Sequence, residues 1–419
     1  MNAMGVDTGS RLLPVSGSGG RLRDLRAHEQ VHGRLPNTGA ADLIAAVRDA
    51  GLTGRGGAAF PTHRKLSAVA AGRHPVVVAN AAEGEPVSGK DQLLLSAAPH
   101  LVLDGLQLAA RAVGARDAVV YVHAGPLVAL MRDLVARRAA DRVDAVAVRV
   151  VDAPARFISG QESAVVSRLN GGSALPRTVP PAVFQKGVGG RPTLVQNVET
   201  LAHLALIARN GPAWFRSRGT AEEPGTMLLT IGGAVHAPGV VEADIGTPVG
   251  MLLGLGGGPS RQVQALLIGG YHGTWLPAED LPISVAGLRP YGATPGAGVL
   301  VALPSDVCGL VETARAVGYL AGESAGQCGP CRSGLPALAA TMRGLATPGR
   351  AGAAPERIAQ LAGLVEGRGA CHHPDGTARF VRSALAVFHD EIVAHQDGWC
   401  RATHPAPVLP IPSTGSGAR

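Results

Sequence analysis

The sequence contains few aromatic residues and no long apolar run. Aromatic side chains make up 3% of its 419 residues, so its cores must be built from alanine, valine and leucine. No apolar run reaches the roughly 20 residues that a membrane-spanning helix needs. Residues 1–25 also lack the apolar stretch of a signal peptide. These absences predict a cytoplasmic protein that does not insert directly into a membrane.

Lysine is also scarce, because only Lys65, Lys90 and Lys186 occur although the net charge is +7. Nearly all of the positive charge therefore comes from arginine. The arginines are scattered and are not interleaved with aromatic residues, so they predict a solvated surface and no nucleic-acid partner. Since arginine can serve wherever only charge matters, each lysine is informative.

There are five cysteines, an odd number, and no secretory signal accompanies them. This combination favours metal binding over disulfides. Three of them, Cys328, Cys331 and Cys371, follow a C-x₂-C-plus-one pattern that resembles iron–sulfur or zinc ligation. His372 or His373, next to the third cysteine, would complete a set of four ligands.

The chain is too long for one ordinary core, so we expect several domains. Strands are predicted at residues 75–80, 117–122 and 143–151, and helices at 40–50, 99–113 and 127–140. This alternation predicts an α/β domain with a parallel sheet.

The pattern of predicted strands and helices changes after residue 222. A hairpin at 226–232 and 240–243, a helix at 248–255 capped by Thr247, and strands at 263–268 and 298–303 predict a small α+β domain. Helices predicted at 309–321, 334–345, 355–365 and 377–395 favour a four-helix bundle. The ends, residues 1–38 and 399–419, are predicted to be flexible and disordered, respectively.

Four segments carry glycine, acidic or amide residues suited to a cofactor. The first, residues 54–65, is a glycine loop followed by Lys65, which predicts close backbone approach to an anion. A helix precedes this loop, so the standard dinucleotide fingerprint is rejected. The second, residues 80–86, follows the first predicted strand and places two glutamates at the sheet edge where ligands bind. The third and fourth segments are residues 157–164 and 190–200.

In combination and order, these segments and the cysteine motif resemble the family of NADH-binding 51-kDa flavoprotein subunits of respiratory complex I. The resemblance covers roughly residues 40–395. It implies an FMN- and NADH-binding α/β domain at 39–222, a ubiquitin-like α+β domain at 223–304, and a helical bundle with an iron–sulfur site at 305–398. It also implies cofactor-binding roles, and no catalytic side chain, for a set of residues. These are Gly54, Arg55, Gly56, Gly57, Ala58, Phe60, Lys65, Asn80, Glu83, Gly84, Glu85, Gly160, Glu162, Gln196, Asn197 and Thr200.

The sequence departs from the family pattern at several positions. Ala59 replaces a glycine, which fits if the backbone φ there is negative. Ala82 and Gln161 replace acidic residues of the family motifs. Ala325 stands where the first cluster cysteine belongs, and alanine cannot ligate iron. The remaining thiolates could hold a [3Fe–4S] cluster, a [4Fe–4S] cluster with a histidine or water ligand, or a zinc ion, and the site could also be empty. Because three ligands and the C-x₂-C-R motif survive, an iron–sulfur cluster with an altered ligand set is favoured.

The resemblance implies an NADH dehydrogenase that passes hydride from NADH to FMN. Electrons then leave through the cluster to a ferredoxin-like or other electron-transfer subunit. Such a protein is cytoplasmic, either free or peripheral to a membrane redox complex. Two alternatives remain at this point: a non-catalytic or NADPH-preferring scaffold subunit of a redox complex, and a zinc-bearing adaptor.

Overall fold

A computed structural model describes residues 9–13, 21–177, 181–350, 354–404 and 406–412. Its first sheet contains four strands, β1 (Val76–Ala81), β2 (Asp117–His123), β3 (Val148–Ala153) and β4 (Thr193–Asn197). They pair in the order β3-β2-β1-β4, and every pair is parallel. The predicted parallel-sheet α/β domain is therefore confirmed. Valine and alanine dominate the buried central strands, as expected when both faces of a sheet are covered.

Helices cover both faces of this sheet. Before β1 lie α1 (Leu25–His32), α2 (Ala40–Ala50) and α3 (Thr62–Ala70), and between strands lie α4 (Lys90–Ala97), α5 (Pro99–Val113), α6 (Pro126–Ala140) and α7 (Glu162–Leu169). After β4 comes α8 (Val198–Arg216), which breaks at Gly211 where φ is 82°. The main core joins α5 and α8 to β1, and it consists almost entirely of leucine, valine and alanine.

The second sheet is mixed and has five strands. They are β5 (Thr226–Gly233), β6 (Gly239–Asp244), β7 (Val263–Ile268), β8 (Thr274–Pro277) and β9 (Val299–Pro304), in the order β6-β5-β9-β7-β8. Only β5 and β9 pair in parallel. Strand β8 was missed from the sequence because it is four residues long. The helix α9 (Val249–Leu255) begins after Pro248, so Thr247 is not its N-cap as predicted. The short helix α10 (Val285–Leu288) follows β8.

The C-terminal region is helical. It contains α11 (Gly309–Gly322), a π-helical turn at Pro330–Gly334, α12 (Leu335–Leu345), α13 (Pro355–Val365), α14 (His373–Val387) and α15 (His389–Gln396). The single helix predicted at 377–395 is thus two helices separated at Phe388. The ring of Phe388 packs where a side chain on Gly309 would lie, which anchors the break in the core.

The described parts of both terminal regions contact the rest of the protein. Leu12 is buried and its N–H donates to Glu242 Oε2 at 2.8 Å, while His28 in α1 lies 2.8 Å from Asp104 Oδ2. At the other end Leu409 is buried, and its N–H donates to Glu312 Oε2 at 2.6 Å. Buried carboxylates therefore hold segments whose composition suggested flexibility. Residues 1–8, 14–20 and 413–419 of these predicted regions lie outside the described residues.

In the described part of the chain, no single helix is long and apolar enough to cross a membrane. The bent pair α4 and α5, which meet at 96°, passes that test only when the two are taken together. Nearly every residue of α5 is buried in the protein core, which accounts for its apolar character.

Candidate functional site

The first sheet has a switch point at its centre. From β1 the chain moves through β2 to β3 on one side, whereas β4 lies on the other side of β1. In open α/β sheets, ligands bind at the carboxyl ends of the strands where this reversal occurs. Asn80 at the end of β1 is the register partner of Asn197 at the end of β4. Two of the predicted segments therefore meet at this edge.

The glycine loop lies over the same edge. Its ends are joined by the hydrogen bond from Gly54 N–H to the Phe60 carbonyl, at 2.9 Å. A side chain on Gly56 would come within 3.3 Å of Asn197 Cβ, and Gly57 has a φ of +103°. Glycine is thus required for both close approach and backbone conformation. Ala58 and Phe60 are exposed on this loop, and Phe60 is 50% exposed.

Ala59 does not have the negative φ that was expected for an alanine at this position. Its φ is +48°, in the left-handed region that glycine adopts freely. An alanine there carries a steric cost of about 1–2 kcal/mol. The loop therefore holds Ala59 in a backbone conformation that favours glycine.

Arg55 makes its hydrogen bonds to protein atoms on both sides of the loop. Its side chain is buried, and its guanidinium donates to Thr53 Oγ1 at 2.8 Å and to the Thr226 carbonyl at 3.3 Å. Its backbone N–H donates to Thr200 Oγ1 at 2.9 Å. These hydrogen bonds brace the loop against α8 and the second sheet.

Lys65 joins three elements around the cleft. Its Nζ donates to the Val195 carbonyl of β4 and pairs with Glu162 Oε1 at the start of α7, both at 2.9 Å. Gln161, which replaces a family glutamate, caps α7 by accepting from Ser163 N–H at 2.8 Å. The Gln161 amide oxygen therefore acts as the N-cap acceptor of α7.

The loop after β1 packs directly against the segment before α7. Asn80 Nδ2 donates to the Gly160 carbonyl at 2.8 Å. A side chain on Gly84 would meet the Phe157 carbonyl oxygen at 2.0 Å, and one on Gly160 would meet that of Ala82 at 2.2 Å. Both glycines are needed for this backbone contact. Gln196 is buried one residue before Asn197 in β4.

The two glutamates of this loop occupy different surroundings. Burial and the nearby Asp91 carboxylate raise the pKa of Glu83 to about 8, so it holds a proton at neutral pH. Burial raises the pKa of Glu85 to about 7, although Tyr271 N–H donates to its Oε2 at 2.7 Å. Glu85 therefore links the first sheet to the turn between β7 and β8, and both of its oxygens accept backbone hydrogen bonds.

A buried charge network beneath the cleft was not among the predicted site residues. Lys90 Nζ lies 2.8 Å from Asp91 Oδ1 and 2.9 Å from Glu199 Oε2. Burial acts to lower the pKa of Lys90, but the surrounding carboxylates raise it. Asp91 Oδ2 also accepts from Asn197 Nδ2 at 2.6 Å. Two sequence signals pointed to this position: the scarcity of lysine, and the pair Lys90-Asp91 directly after the acidic loop.

The predicted metal residues come together beside the π-helical turn. Burial and hydrogen bonding to Cys328 raise the pKa of the Cys331 thiol to about 11. Burial acts to raise the pKa of Cys328, but hydrogen bonds with the backbone of Ala370 and Cys331 lower it. Cys371 interacts electrostatically with Cys328. The three thiols therefore lie near one another, but their sulfur atoms do not all come within 4.8 Å of each other.

The two histidines after Cys371 differ in availability. His373 is buried, with Nε2 at 2.8 Å from the Leu320 carbonyl and Nδ1 at 3.1 Å from His272 Nε2. Since both ring nitrogens have protein partners, His373 is not free to ligate a metal. His372 is 97% exposed and contacts Asp375 Oδ2 through Nδ1. Of the two histidines, only His372 retains an open nitrogen.

The sheet edge and the cysteine region are in direct contact. Phe157 N–H donates to Glu323 Oε2 at 2.8 Å, and Arg156 Nη2 donates to the Ser324 carbonyl at 3.1 Å. Residues 156–160 line the sheet edge, whereas residues 323–324 lead into the cysteine loop. The two parts of the site are therefore neighbours.

The residues present fit the cofactors that the resemblance implies. The switch-point edge has the glycine-lined backbone that a flavin nucleotide needs, and the N-terminus of α7 points to it. The cysteine region supplies three of the four thiolates that hold a [4Fe–4S] cluster. These features define a class of protein: a nucleotide-binding α/β oxidoreductase subunit with an attached iron–sulfur region.

Comparison with known proteins narrows this class to one family. Residues 47–206 match the family described as the Nuo51 FMN-binding domain, and residues 312–395 match the NADH-ubiquinone oxidoreductase-F iron-sulfur binding region. The NADH-quinone oxidoreductase F 2 subunit of Rhizobium meliloti (strain 1021) is 32% identical over 403 residues, covering 92% of this chain and 94% of the relative. The chain belongs to the family of F subunits of NADH-quinone oxidoreductase.

Other relatives agree with this assignment. The NADH-quinone oxidoreductase F subunit of Escherichia coli (strain K12) is 29% identical over 398 residues, covering 89% of this chain and 88% of the relative. A solved chain of an NAD⁺-reducing [NiFe]-hydrogenase in the air-oxidized state aligns with a TM-score of 0.78 at 30% identity. The alignment covers 88% of this chain and 64% of the hydrogenase chain. The predicted family and the predicted cofactors, FMN, NADH and an iron–sulfur cluster, are confirmed by these matches.

Proposed function

We propose that this chain is the NADH-oxidising subunit of a redox complex, passing electrons from NADH to a partner protein. The observation that carries the proposal is the hydrogen bonding between residues 156–157 at the sheet edge and residues 323–324 beside the cysteines. This contact places the proposed flavin site next to the proposed cluster site. Bound FMN would accept a hydride from NADH and release electrons singly.

The protein's contribution is to position and polarise the bound groups. The backbone of Gly54, Gly56 and Gly57 would line the flavin phosphate, with charge from Lys65 and the N-terminus of α7 nearby. Glu83 would offer a protonated carboxyl at the sheet edge, since its pKa is raised to about 8. Phe60, exposed on the loop, would cover an aromatic ring of the nucleotide. Asn80, Asn197 and Thr200 would hold the walls of the cleft.

We also propose the finer architecture and its roles. Residues 39–222 would form the FMN- and NADH-binding domain, 223–304 a ubiquitin-like domain, and 305–398 a four-helix-bundle-type region. Cys328, Cys331 and Cys371 would hold the cluster, with His372 or water in the fourth position. The partner would be a ferredoxin-like or other electron-transfer subunit.

The direct test is an anaerobic titration of FMN-reconstituted protein with NADH, followed by flavin absorbance. We expect NADH to bleach the flavin band. An unbleached flavin with both NADH and NADPH, while FMN is demonstrably bound, would contradict the proposal and support the non-catalytic scaffold.

The lysines supply a matched pair of variants for the same titration. Lys65→Met removes a charge beside the proposed phosphate site and should weaken FMN binding about tenfold, the usual value of a charged hydrogen bond. Lys186→Met changes an exposed lysine and should leave FMN affinity unaltered. Equal affinity in both variants would remove Lys65 from the proposed site.

A further inference from the structure

A group of metal-ligand side chains lies outside the predicted cysteine motif. Cys308, His395 and Cys400 place their ligand atoms within 4.8 Å of one another. Cys308 directly precedes α11, His395 is in the last turn of α15, and Cys400 follows that helix by a few residues. The fold thus brings together residues from the two ends of the helical region.

The distance between Cys308 and His395 matches that of two ligands around one tetrahedral ion. Cys308 Sγ is 3.6 Å from His395 Nε2. With Zn–S bonds of about 2.3 Å and Zn–N bonds of about 2.1 Å, two ligand atoms of a tetrahedral zinc lie roughly 3.5 Å apart. Only a small movement of the side chains would seat an ion between them.

A second observation concerns the orientation of His395. Its Nδ1 lies 2.9 Å from the Leu345 carbonyl, which can accept only from a protonated nitrogen. This hydrogen bond fixes the tautomer, leaving a lone pair on Nε2 directed at Cys308. Metal-binding histidines are commonly held in this way through their other nitrogen.

A carboxylate lies beside this group of three ligands. Glu391 lies one helical turn before His395 on α15, and its Oε2 is 3.2 Å from Cys308 Sγ. The same oxygen accepts a hydrogen bond from Leu310 N–H at 3.1 Å. Cys308, Glu391 and His395 are all buried, whereas Cys400 is partly exposed. Two thiolates and one imidazole supply three ligands of a tetrahedral zinc site, and the Glu391 carboxylate, which accepts from Cys308 Sγ, would move to become the fourth.

We propose that Cys308, His395, Cys400 and Glu391 bind one zinc ion, which fastens the C-terminal segment to the start of α11. The described parts of this segment, residues 400–404 and 406–412, contact the second sheet and the helical region. The N–H groups of Thr403 and His404 donate to the Asp306 carbonyl at 3.1 and 2.9 Å. Tyr271 donates its hydroxyl to the Pro410 carbonyl at 2.6 Å. The ion would stand at the point where the segment leaves α15.

The test uses the full chain, with zinc and iron measured by mass spectrometry of the purified protein. We expect one zinc per chain in the unaltered protein and its loss in Cys400→Ser, a change at a partly exposed position that the fold should tolerate. Cys400→His should restore the zinc, because imidazole can replace a thiolate ligand. His404→Gln, in the same segment and exposed, is the matched control and should retain it.

Two further measurements distinguish this zinc site from the predicted iron–sulfur cluster and from side chains that are packed together without a metal. The double variant Cys328→Ser/Cys331→Ser should lose iron but keep zinc. Cobalt added in place of zinc should give a thiolate charge-transfer band that Cys400→Ser abolishes. Mutation of a residue that only supports a metal ligand typically weakens metal affinity by roughly 10–100-fold, so loss of a direct ligand should weaken it by at least as much.

The proposal also predicts a local structural effect. Removing the ion with a chelator should increase the hydrogen exchange of residues 400–412, and the His404→Gln control should respond like the unaltered protein. Zinc content that does not depend on Cys400 would overturn the proposal. So would a metal-free protein with a Cys308–Cys400 disulfide found by peptide mapping.

Discussion

The buried lysine beneath the sheet edge gives the sharpest stability prediction. Lys90 is 2% exposed, and its ammonium group bridges Asp91 and Glu199, which are 4% and 1% exposed. Lys90→Met keeps most of the side-chain volume but leaves both carboxylates without their cation. Removing one partner of a buried ion pair costs about 3–5 kcal/mol, because the remaining charge is desolvated and unpaired. We expect this loss in the free energy of unfolding.

The assay is urea unfolding of the apoprotein, read by the change in helical circular dichroism. Arg137→Met is the control, since its ion pair with Asp133 is mostly exposed and should contribute less than about 1 kcal/mol. Adding Glu199→Gln to Lys90→Met should recover part of the loss, because one buried charge is then removed. If Lys90→Met costs no more than Arg137→Met, the network does not carry the stability assigned to it.

Three further predictions concern the same site. Because burial raises the pKa of Glu85 from 4.5 to about 7, the folded state binds more protons than the unfolded state across that range, and stability falls as pH rises through it. Unfolding measured against pH should show Glu85→Gln removing this decline, and an unchanged difference between the two proteins from pH 4.5 to 7 would refute it. Ala59→Gly should stabilise the apoprotein by up to about 1 kcal/mol, because it relieves the steric cost of the left-handed backbone conformation. Ala58→Gly, at a position with negative φ, should destabilise it, and thermal unfolding distinguishes the two variants. Ala325→Cys should raise iron and acid-labile sulfide after anaerobic reconstitution, because it supplies a fourth thiolate, and a result equal to Ala325→Ser would count against the cluster site.

The sequence determined the α/β order, the family and the cofactor class. Strand and helix signals are local, so residues 99–113 were predicted with the bounds that α5 has in the structure. The glycine loop, the loop after β1 and the cysteine motif are likewise short segments whose chemistry can be recognised without their neighbours. Their order along the chain was sufficient to identify the family.

The tertiary structure decided how individual side chains are used. Arg55 points to carbonyls of a segment about 170 residues away, and Glu85 accepts from Tyr271, 186 residues further along the chain. Lys90 meets Glu199 across 109 residues, and Cys308 meets His395 across 87. Such partners are brought together only when strands and helices pack. A polar residue in a motif therefore predicts a site. Its hydrogen-bond partners decide whether it faces the ligand or supports the surrounding protein, because a buried polar group must bond to whatever the fold places beside it.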